Sequence, residues 1–409
     1  KEVLAVLDSQ EALPMLWRAS LSDDANERQQ FIAAAEHCHA HNVRFPNSLD
    51  EVQMLQSLGD SAFARYLLGC FWYSKRRYDE AVSCWRETLE KSPDYAPAHR
   101  LLGVYSWNKQ QDATQALAYL QRAVALEPDN ARFLFELDFL QKLLARPVHE
   151  RLTTLVERKA VVLKRDDLTA ELLSLWNASG HYADAAAILD TRVFHPWEGG
   201  EGKITGQYLL NQLHRALQFI ERGAFKQATD CLKAALRYPD NLGEGRLPGQ
   251  TDNDIWYLLG YCAEQAGDAQ QAAEYYQLAR QGGSTLDAGR YYNDQPADYL
   301  FWQGIALRKS GNPAQAEQHF RHFIDWAAQH RDDVPQVDFF AVSLPDLVVL
   351  DVSAQQRHQQ HCLFIEALGH LGLGNVSASQ QAMQRLLQLN PAHDKAHLIR
   401  HALQSGIFS

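Results

Sequence analysis

One stretch, residues 62–93, constrains the fold of this chain more than any other. Its small and bulky residues are spaced so that two helices can pack as a hairpin. Gly69 and Ala81 let the helices approach closely, and Trp72 and Trp85 fill the space beside them. A single hairpin of this kind cannot bury its own apolar face, so the stretch predicts that further hairpins stack against it.

The same residues, together with Leu68, Thr88 and Pro93, stand at the signature positions of a tetratricopeptide repeat (TPR), which this stretch resembles. Pro93 ends the second helix because it has no N–H to continue the hydrogen-bond ladder. Related patterns follow at 96–128, 131–164, 166–197, 209–240, 253–286, 297–330 and 360–391. The sequence therefore predicts an all-α fold, a right-handed α-solenoid of about eight TPR-like helical hairpins with long inter-repeat loops.

The repeat spacing also predicts the domain organisation. Residues 1–60 lack it and are expected to form an N-terminal helical cap, in which Ser48 or Asn47 precedes acidic residues as a helix N-cap. Residues 61–391 are expected to form the TPR-like solenoid, and residues 392–409 a C-terminal capping helix. Because the first residue is Lys1, we expect the chain to be part of a longer protein.

Composition excludes some classes of function. A formal net charge of −11 argues against a nucleic-acid-binding protein, which would normally carry a basic patch. No apolar run approaches the roughly 18 residues of a membrane span. The six cysteines lie in helical patterns without a CxxC pair, which is typical of reduced, buried thiols and predicts a cytoplasmic location.

Four long connectors each follow the second helix of a repeat: the first connector 195–206, the second 241–252, the third 281–296 and the fourth 331–353. Stacked repeats would bring such links to one edge, side by side. A disordered linker would contain fewer aromatic residues, so we interpret the connectors as an ordered docking or ligand surface. Its candidate residues are Trp197, Glu198, Glu201, Lys203, Glu244, Arg246, Arg290, Tyr291, Tyr292, Phe339 and Phe340. The alternative is that the connectors are tolerated insertions that pack locally.

A second candidate surface is the groove lined by the first helices of the repeats, where an extended or helical segment of a partner typically binds. The candidate groove residues are Arg65, Trp72, His99, Trp107, Asn211, Gln212, Tyr257 and Gln303. A cluster of Lys and Arg that could clamp a carboxylate does not stand out among them, which argues against a chaperone C-terminus as the ligand.

Several segments carry a further resemblance: FLFELDFL, FHPWEGGEGKITGQY, YYNDQPADYLFWQGIALRKSGN and VDFFAVSLPDLVVLDVS. Over roughly residues 60–390 the chain resembles the C-terminal TPR region of large bacterial proteins. In those proteins a β-sandwich domain of unknown function, related to galactose mutarotase and carbohydrate-processing enzymes, precedes the repeats. The resemblance implies a sugar-related context and such a domain as a fused partner, and it assigns no catalytic residue.

These patterns predict a non-catalytic protein-interaction or interdomain scaffold, part of a larger carbohydrate-related bacterial protein. In the alternative, the connectors complete a sugar-binding or glycoside-processing active site with the β-sandwich domain, and Glu198, Glu201, Lys203 and Arg246 reach the substrate. A purely structural interpretation also stands: Trp197 fills a gap between repeats, the glycines supply positive φ, and the carboxylates cap the next helix. The expected partner is a protein or the fused domain, with carbohydrate contacted through that domain.

We expect no cofactor and no metal ion. The segment GGEGKIT differs from a phosphate-binding P-loop because Ile204 replaces the Ser or Thr after Lys203, and because a helix precedes it instead of a strand. His393, His397 and His401 share one helix face, but no carboxylate or thiolate ligand accompanies them in the sequence.

Overall fold

The computed structural model describes residues 11–37, 44–287, 294–335 and 349–408. These residues form α-helices and a short 3₁₀ turn, Asp240–Leu242, and contain no strand. The α-helices are α1 (Ala12–Leu21), α2 (Ala25–His37), α3 (Leu49–Ser57), α4 (Ala62–Ser74), α5 (Tyr78–Lys91), α6 (Ala96–Asn108), α7 (Ala113–Leu126), α8 (Ala131–Leu143), α9 (Val148–Glu157), α10 (Lys159–Val162), α11 (Asp166–Ala178), α12 (Tyr182–Leu189), α13 (Lys203–Glu221), α14 (Phe225–Ala235), α15 (Asn253–Gln265), α16 (Ala269–Leu278), α17 (Tyr299–Lys309), α18 (Pro313–His330), α19 (Ala354–Gly372), α20 (Val376–Leu389) and α21 (Asp394–Gln404). The predicted all-α fold of TPR-like hairpins is confirmed.

The chain divides into two compact units, unit 1 up to Leu137 and unit 2 from Asp138. Unit 1 contains the hairpins α1/α2, α4/α5 and α6/α7. Unit 2 contains the hairpins α13/α14, α15/α16, α17/α18 and α19/α20, together with the shorter pair α11/α12. One apolar core in unit 2 extends from Leu210 to Ile407, so the later hairpins and the C-terminal segment are buried together.

Close helix packing explains the glycines of the repeat signature. A Cβ atom on Gly69 would lie 2.4 Å from the Nε1 atom of Trp85, and one on Gly260 would lie 2.7 Å from the ring of Tyr276. Both distances are far shorter than carbon atoms tolerate in a packed interior. In these two hairpins the first helix therefore needs glycine where the aromatic side chain of the second helix crosses it.

Two helices begin earlier than the repeat pattern predicts. α13 begins at Lys203 instead of residue 209, so the last residues of the first connector are helical. α19 begins at Ala354 instead of residue 360, because the Ser353 side chain accepts a hydrogen bond from the Gln356 N–H and caps the helix. At the N-terminus Ser48 is the N-cap and forms a capping box with Glu51.

The last helix does not simply extend the stack of hairpins. α21 packs against α11 and α13 of the same unit, helices that lie far back in the chain. The segment predicted as a C-terminal cap therefore contacts the middle of unit 2.

Two further sequence expectations concern membranes and thiols. In the described ranges, helices fall short of the combined length and apolar character that crossing a membrane requires. The five cysteines described by the structure are free thiols, and four of them are buried. Burial raises the pKa of Cys84 to about 11, which leaves that thiol protonated near neutral pH.

Candidate functional site

Unit 2 contains a cavity of about 680 Å³ where three of the four connectors meet. We call it the connector cavity. The first connector contributes Gly202, Lys203, Thr205 and Gly206, the second Glu244, Gly245, Leu247, Gly249, Gln250 and Thr251, and the third Asp294, Gln295 and Pro296. Tyr238, which follows α14, also lines the cavity. The other lining residues lie on helices: Phe139, Lys142, Ala170, Glu171, Ser174, Gln207, Leu209, Leu210, Tyr299, Asp394 and Lys395. The lining therefore combines apolar surface with polar groups and carries charges of both signs.

Glu244 joins the first two connectors. Its carboxylate accepts a hydrogen bond of 2.9 Å from the Gly202 N–H and one of 3.3 Å from the Thr205 hydroxyl. This places a negative charge at the N-terminus of α13, where the helix dipole favours it. A second link runs beside it, since the Phe194 N–H donates to the Asn241 carbonyl at 2.8 Å. The two connectors form one hydrogen-bonded wall.

Replacing Glu244 by glutamine is expected to loosen the first turn of α13, because the amide keeps an acceptor but loses the charge. The expected cost is about 1 kcal/mol, or roughly fivefold faster hydrogen exchange of the first-turn amides. Glu201→Gln is the matched control, since Glu201 lies one residue before Gly202 but is exposed. Equal effects of the two substitutions would show that Glu244 does not act as the cap.

A buried ion cluster forms the wall on the side of α8, α9 and α11. Lys142 lies 2.8 Å from Glu171, and Arg151 lies 3.0 Å from Glu171 and 2.7 Å from Asp138. Burial by itself would raise the pKa of Glu171, but Lys142 and Arg151 outweigh it and lower this pKa to about 2. Glu171 therefore carries its charge at neutral pH and fixes Lys142 at the cavity edge.

The N-terminus of α21 closes another side of the cavity. Asp394 accepts hydrogen bonds from the Ser174 hydroxyl at 2.8 Å and from the Gln207 amide at 2.7 Å. Burial raises the pKa of Asp394, and these two donors offset that effect only in part. The neighbouring Lys395 ammonium lies 3.1 Å from Asp298 and 5.3 Å from the ring centroid of Tyr299. The last helix thus supplies both a carboxyl group and an ammonium group to the site.

Only some of the predicted connector residues line the connector cavity. Lys203 and Glu244 line the connector cavity. Trp197 folds over Gly200, where an added Cβ would lie 2.0 Å from the indole. Glu198 and Glu201 are exposed and lie outside the lining. Arg246 pairs with Asp252, and the remaining candidates Arg290, Tyr291, Tyr292, Phe339 and Phe340 lie outside the described residues.

The purely structural interpretation of the first connector holds in part. Gly199 and Gly202 have φ of 76° and 73°, the left-handed region that favours glycine. The carboxylate that caps the N-terminus of the following helix, α13, belongs to Glu244 of the second connector and not to Glu198 or Glu201. Local sequence suggested the capping role but could not show which loop supplies the acid.

The predicted groove residues of unit 2 are buried. Asn211 is 1% exposed and donates to the Asn177 side chain at 2.9 Å. The fully buried Tyr257 donates to the Ile407 carbonyl at 2.9 Å, and Gln303 donates to the Gln281 carbonyl at 2.9 Å. Gln212 is 6% exposed. These side chains stabilise the interior of unit 2 instead of facing solvent.

The predicted groove residues of unit 1 are half-buried and engaged locally. Arg65 lies 3.2 Å from Glu87. The Arg77 guanidinium lies 4.8 Å from the ring centroid of Trp72, and the His99 ring lies 2.8 Å from the Pro93 carbonyl. Trp107 is also half-buried. In unit 1, therefore, each of these four side chains keeps part of its surface accessible.

Sequence reasoning missed the helical half of the connector cavity. Lys142, Glu171, Asp394 and Lys395 lie on three helices, and the cavity exists only because α21 returns to α11. The available signal was weak. Glu171 is a charged residue in an otherwise apolar helical segment, TAELLSLW.

Comparisons with known proteins agree with the repeat pattern. The family model of the tetratricopeptide repeat matches residues 72–131 and 213–289. Three solved structures are similar. PilW, a widely conserved type IV pilus biogenesis factor, has 16% identity and a TM-score of 0.28 over 53% of this chain and 90% of its own. Naa15/Naa10 bound to HypK-THB has 16% identity and a TM-score of 0.39 over 92% of this chain and 50% of its own.

The third structure is the apo form of the quorum sensor NprR from B. thuringiensis, with 11% identity and a TM-score of 0.37 over 92% of this chain and 97% of its own. The all-helical hairpins and the family match lead to the same conclusion. This chain contains tetratricopeptide repeats, at residues 72–131 and 213–289, and its fold is of the TPR type, which implies a protein-interaction scaffold.

Proposed function

We propose that this chain is a non-catalytic protein-interaction or interdomain scaffold in which the connector cavity of unit 2 receives a segment of the partner that carries both charged and apolar groups. The observation that carries this proposal is the convergence of three connectors around one cavity of about 680 Å³ whose lining carries charges of both signs. Tolerated insertions that pack locally would not be expected to share a cavity, since each would bury its residues against its own repeat.

Burial supports this choice of surface within unit 2. The helix face that TPR proteins commonly use is covered there, as the burial of Asn211 and Tyr257 illustrates. The connector cavity is accessible, and Lys203 and Gln250 in its lining are exposed. Within unit 2 the connector cavity is therefore open to a partner, whereas the first-helix face is covered.

Site-specific photo-crosslinking tests this proposal in the full-length protein, expressed in its native host. A photoreactive residue at Gln250 in the cavity lining is expected to give one dominant adduct, identified by mass spectrometry. The control position is Gln270, which is exposed near the turn inside a repeat. Lys203→Glu should lower the yield of the adduct at position 250, because the substitution reverses a charge in the cavity lining.

The identity of the adduct distinguishes the two kinds of scaffold. Crosslinking to a domain of the same polypeptide would support an interdomain role, and crosslinking to a separate protein would support a protein-interaction role. Equal yields at positions 250 and 270 would contradict the proposal.

The carbohydrate-related role rests on the sequence resemblance and is a finer proposal. Of the four residues assigned to a sugar-processing site, Lys203 lines the cavity, whereas Arg246 is paired with Asp252. Glu198 and Glu201 are exposed on the first connector and accessible to a docked domain. This arrangement favours a docking role for the connectors over a complete active site within this chain.

A further inference from the structure

The C-terminal segment of unit 2 is held by contacts with residues far away in the sequence. Ser174 donates to Asp394, Tyr257 to the Ile407 carbonyl, and Ser405 to Glu221. The partners belong to α11, α15 and α13, first helices of successive repeats. The segment therefore occupies the face on which TPR proteins commonly bind a helical or extended ligand.

The segment also has the pattern of a bound peptide. Its helical part buries Leu398, Ile399 and Ala402 on one side, whereas Arg400 is exposed. After the helix ends, the chain continues as a short tail. The ring of Phe408 lies 5.4 Å from Phe301 and 5.7 Å from Trp302, measured between centroids. An amphipathic helix followed by an aromatic anchor is a common design for a peptide in a groove.

One layer of this interface is made of histidines instead of apolar side chains. The rings of Tyr182, His214 and His401 are stacked, with centroids 4.7 Å apart for Tyr182 and His214 and 5.2 Å apart for the two histidines. His214 is 2% exposed and His401 is 9% exposed. An ordinary repeat core would place leucine or alanine here, so the layer calls for a separate explanation.

The two histidines are arranged so that one proton can lie between them but two cannot. Their Nδ1 atoms are 2.9 Å apart, which requires one to donate and the other to accept. The Nε2 atom of His401 lies 3.3 Å from Glu221, which favours a proton there. Nδ1 of His401 is then the acceptor. A second proton on His401 would place two N–H groups against each other.

The next histidine along α21 is held in a similar way. His397 accepts a hydrogen bond of 2.9 Å at Nδ1 from Arg400, and its Nε2 atom lies 2.7 Å from the Pro391 carbonyl. Both ring nitrogens are therefore engaged in the neutral form. Uptake of a proton at Nδ1 would break the contact with Arg400 and place two cations together.

We propose that residues 394–408 form a displaceable internal ligand of unit 2, and that protonation of the buried His214–His401 pair weakens its contact. This inference concerns the first-helix face and does not depend on what binds at the connectors. Release of the segment would uncover Tyr257, Phe301 and Trp302 for an amphipathic helix of a partner. It would also remove Asp394 and Lys395 from the connector cavity.

The surrounding charges set the direction of the effect of pH. Burial lowers the pKa of His214, and His401, His397 and Lys395 lower it further. Burial also lowers the pKa of His401, although Glu221 acts in the opposite direction, and it lowers the pKa of His393 to about 4.

The released segment, with histidines near their ordinary pKa of about 6.5, therefore binds more protons than the docked one. Docking is complete above that pH and weakens as the pH falls below it, because the docked histidines have lowered pKa values. For each additional proton taken up on release, the equilibrium constant between the docked and the released segment shifts about tenfold towards release per pH unit of acidification.

Hydrogen exchange of the full chain tests this inference. After correction for the intrinsic effect of pH, peptides from residues 394–408 are expected to exchange at least about tenfold faster at pH 5.0 than at pH 7.5. Peptides from α16, away from the interface, should change little. The double variant His214→Gln, His401→Gln should lose clearly less protection at pH 5.0 than the unaltered chain, because glutamine keeps hydrogen-bonding capacity without a titratable group and only His397 and His393 remain to take up protons.

Four outcomes would overturn the inference. The first is unchanged protection of residues 394–408 at pH 5.0. The second is equal acid sensitivity in the double variant and in the control His37→Gln, which alters an exposed histidine elsewhere. The third is a uniform rise in exchange across unit 2, since this would indicate general unfolding. Protection that depends on protein concentration would likewise contradict an internal ligand and indicate exchange of the segment with a second copy.

Discussion

Replacing Arg151 by alanine is expected to lower the free energy of unfolding of unit 2 by about 3–5 kcal/mol, among the largest effects of any single substitution in this chain. Arg151 is 2% exposed and binds Asp138, which is 1% exposed, with hydrogen bonds of 3.0 and 2.7 Å. It also donates to Glu171 at 3.0 Å. Its removal leaves Asp138 as a buried charge without its main partner, and desolvation of that carboxylate dominates the cost.

The measurement is a urea titration in which hydrogen exchange is followed in peptides of α9 and α11, because a repeat array need not unfold in one step. Arg321→Ala is the matched control. Arg321 pairs with Glu317 at 2.6 Å, but both side chains are more than half exposed, and the expected loss is about 0–1 kcal/mol. Similar losses in the two variants would show that burial does not set the cost.

The pH dependence gives the Arg151 prediction a second readout. The ion cluster lowers the pKa of Glu171 from its ordinary value of 4.5 to about 2. A lowered acid pKa means that the unfolded state takes up its proton first as the pH falls. Stability from Glu171 is therefore fully present above pH 4.5 and is lost between there and about pH 2. In Arg151→Ala this loss should be smaller, because only Lys142 remains to hold the charge.

This cluster could not have been predicted from the repeat pattern. Asp138, Arg151 and Glu171 lie on α8, α9 and α11, in the most degenerate part of the array, and each alone resembles a surface charge in a helix. Periodicity identifies which apolar positions face a neighbour, but not which charged residues meet across three helices. The ion cluster depends on helix orientations that only the fold supplies.

The connectors were more predictable because their position follows from stacking. Links that leave the second helices of successive repeats meet at one edge, and three of them line one cavity. The chemistry within that edge was not predictable. Glu198 and Glu201 attracted attention beside their glycines, yet the acid on the helix N-terminus is Glu244, from a loop about forty residues later.

The C-terminal helix shows a different limit of sequence analysis. A capping helix was predicted within residues 392–409, and α21 covers Asp394–Gln404. Its location was not predicted, because amphipathicity specifies a buried face without specifying the partner. The histidines that share one face of this helix lie on its buried side, since His397 and His401 are 8% and 9% exposed.

Replacing Trp85 by alanine should lower the free energy of unfolding of unit 1 by about 3–5 kcal/mol, because it opens a large cavity in the hairpin α4/α5. Trp85 is fully buried, and its Nε1 donates to the Tyr66 carbonyl at 3.3 Å. Urea titration read by hydrogen exchange in α4 and α5 measures the loss. Trp72→Ala is the control, because Trp72 is half-buried beside Arg77 and should cost less. A larger loss at Trp72 would contradict the packing role assigned to Trp85.

A double-mutant cycle with Gly69→Ala separates packing from a general loss of apolar surface. In the native hairpin an added Cβ at Gly69 would lie 2.4 Å from the Trp85 indole, so Gly69→Ala alone should destabilise unit 1 by about 1–3 kcal/mol. In the Trp85→Ala background the same methyl group enters the space that the indole has left, and its cost should fall to near zero. The difference is a coupling energy of about 1–3 kcal/mol between the two positions. Additive effects would show that the glycine and the tryptophan are not spaced for each other, and that close packing at this position does not hold the hairpin together.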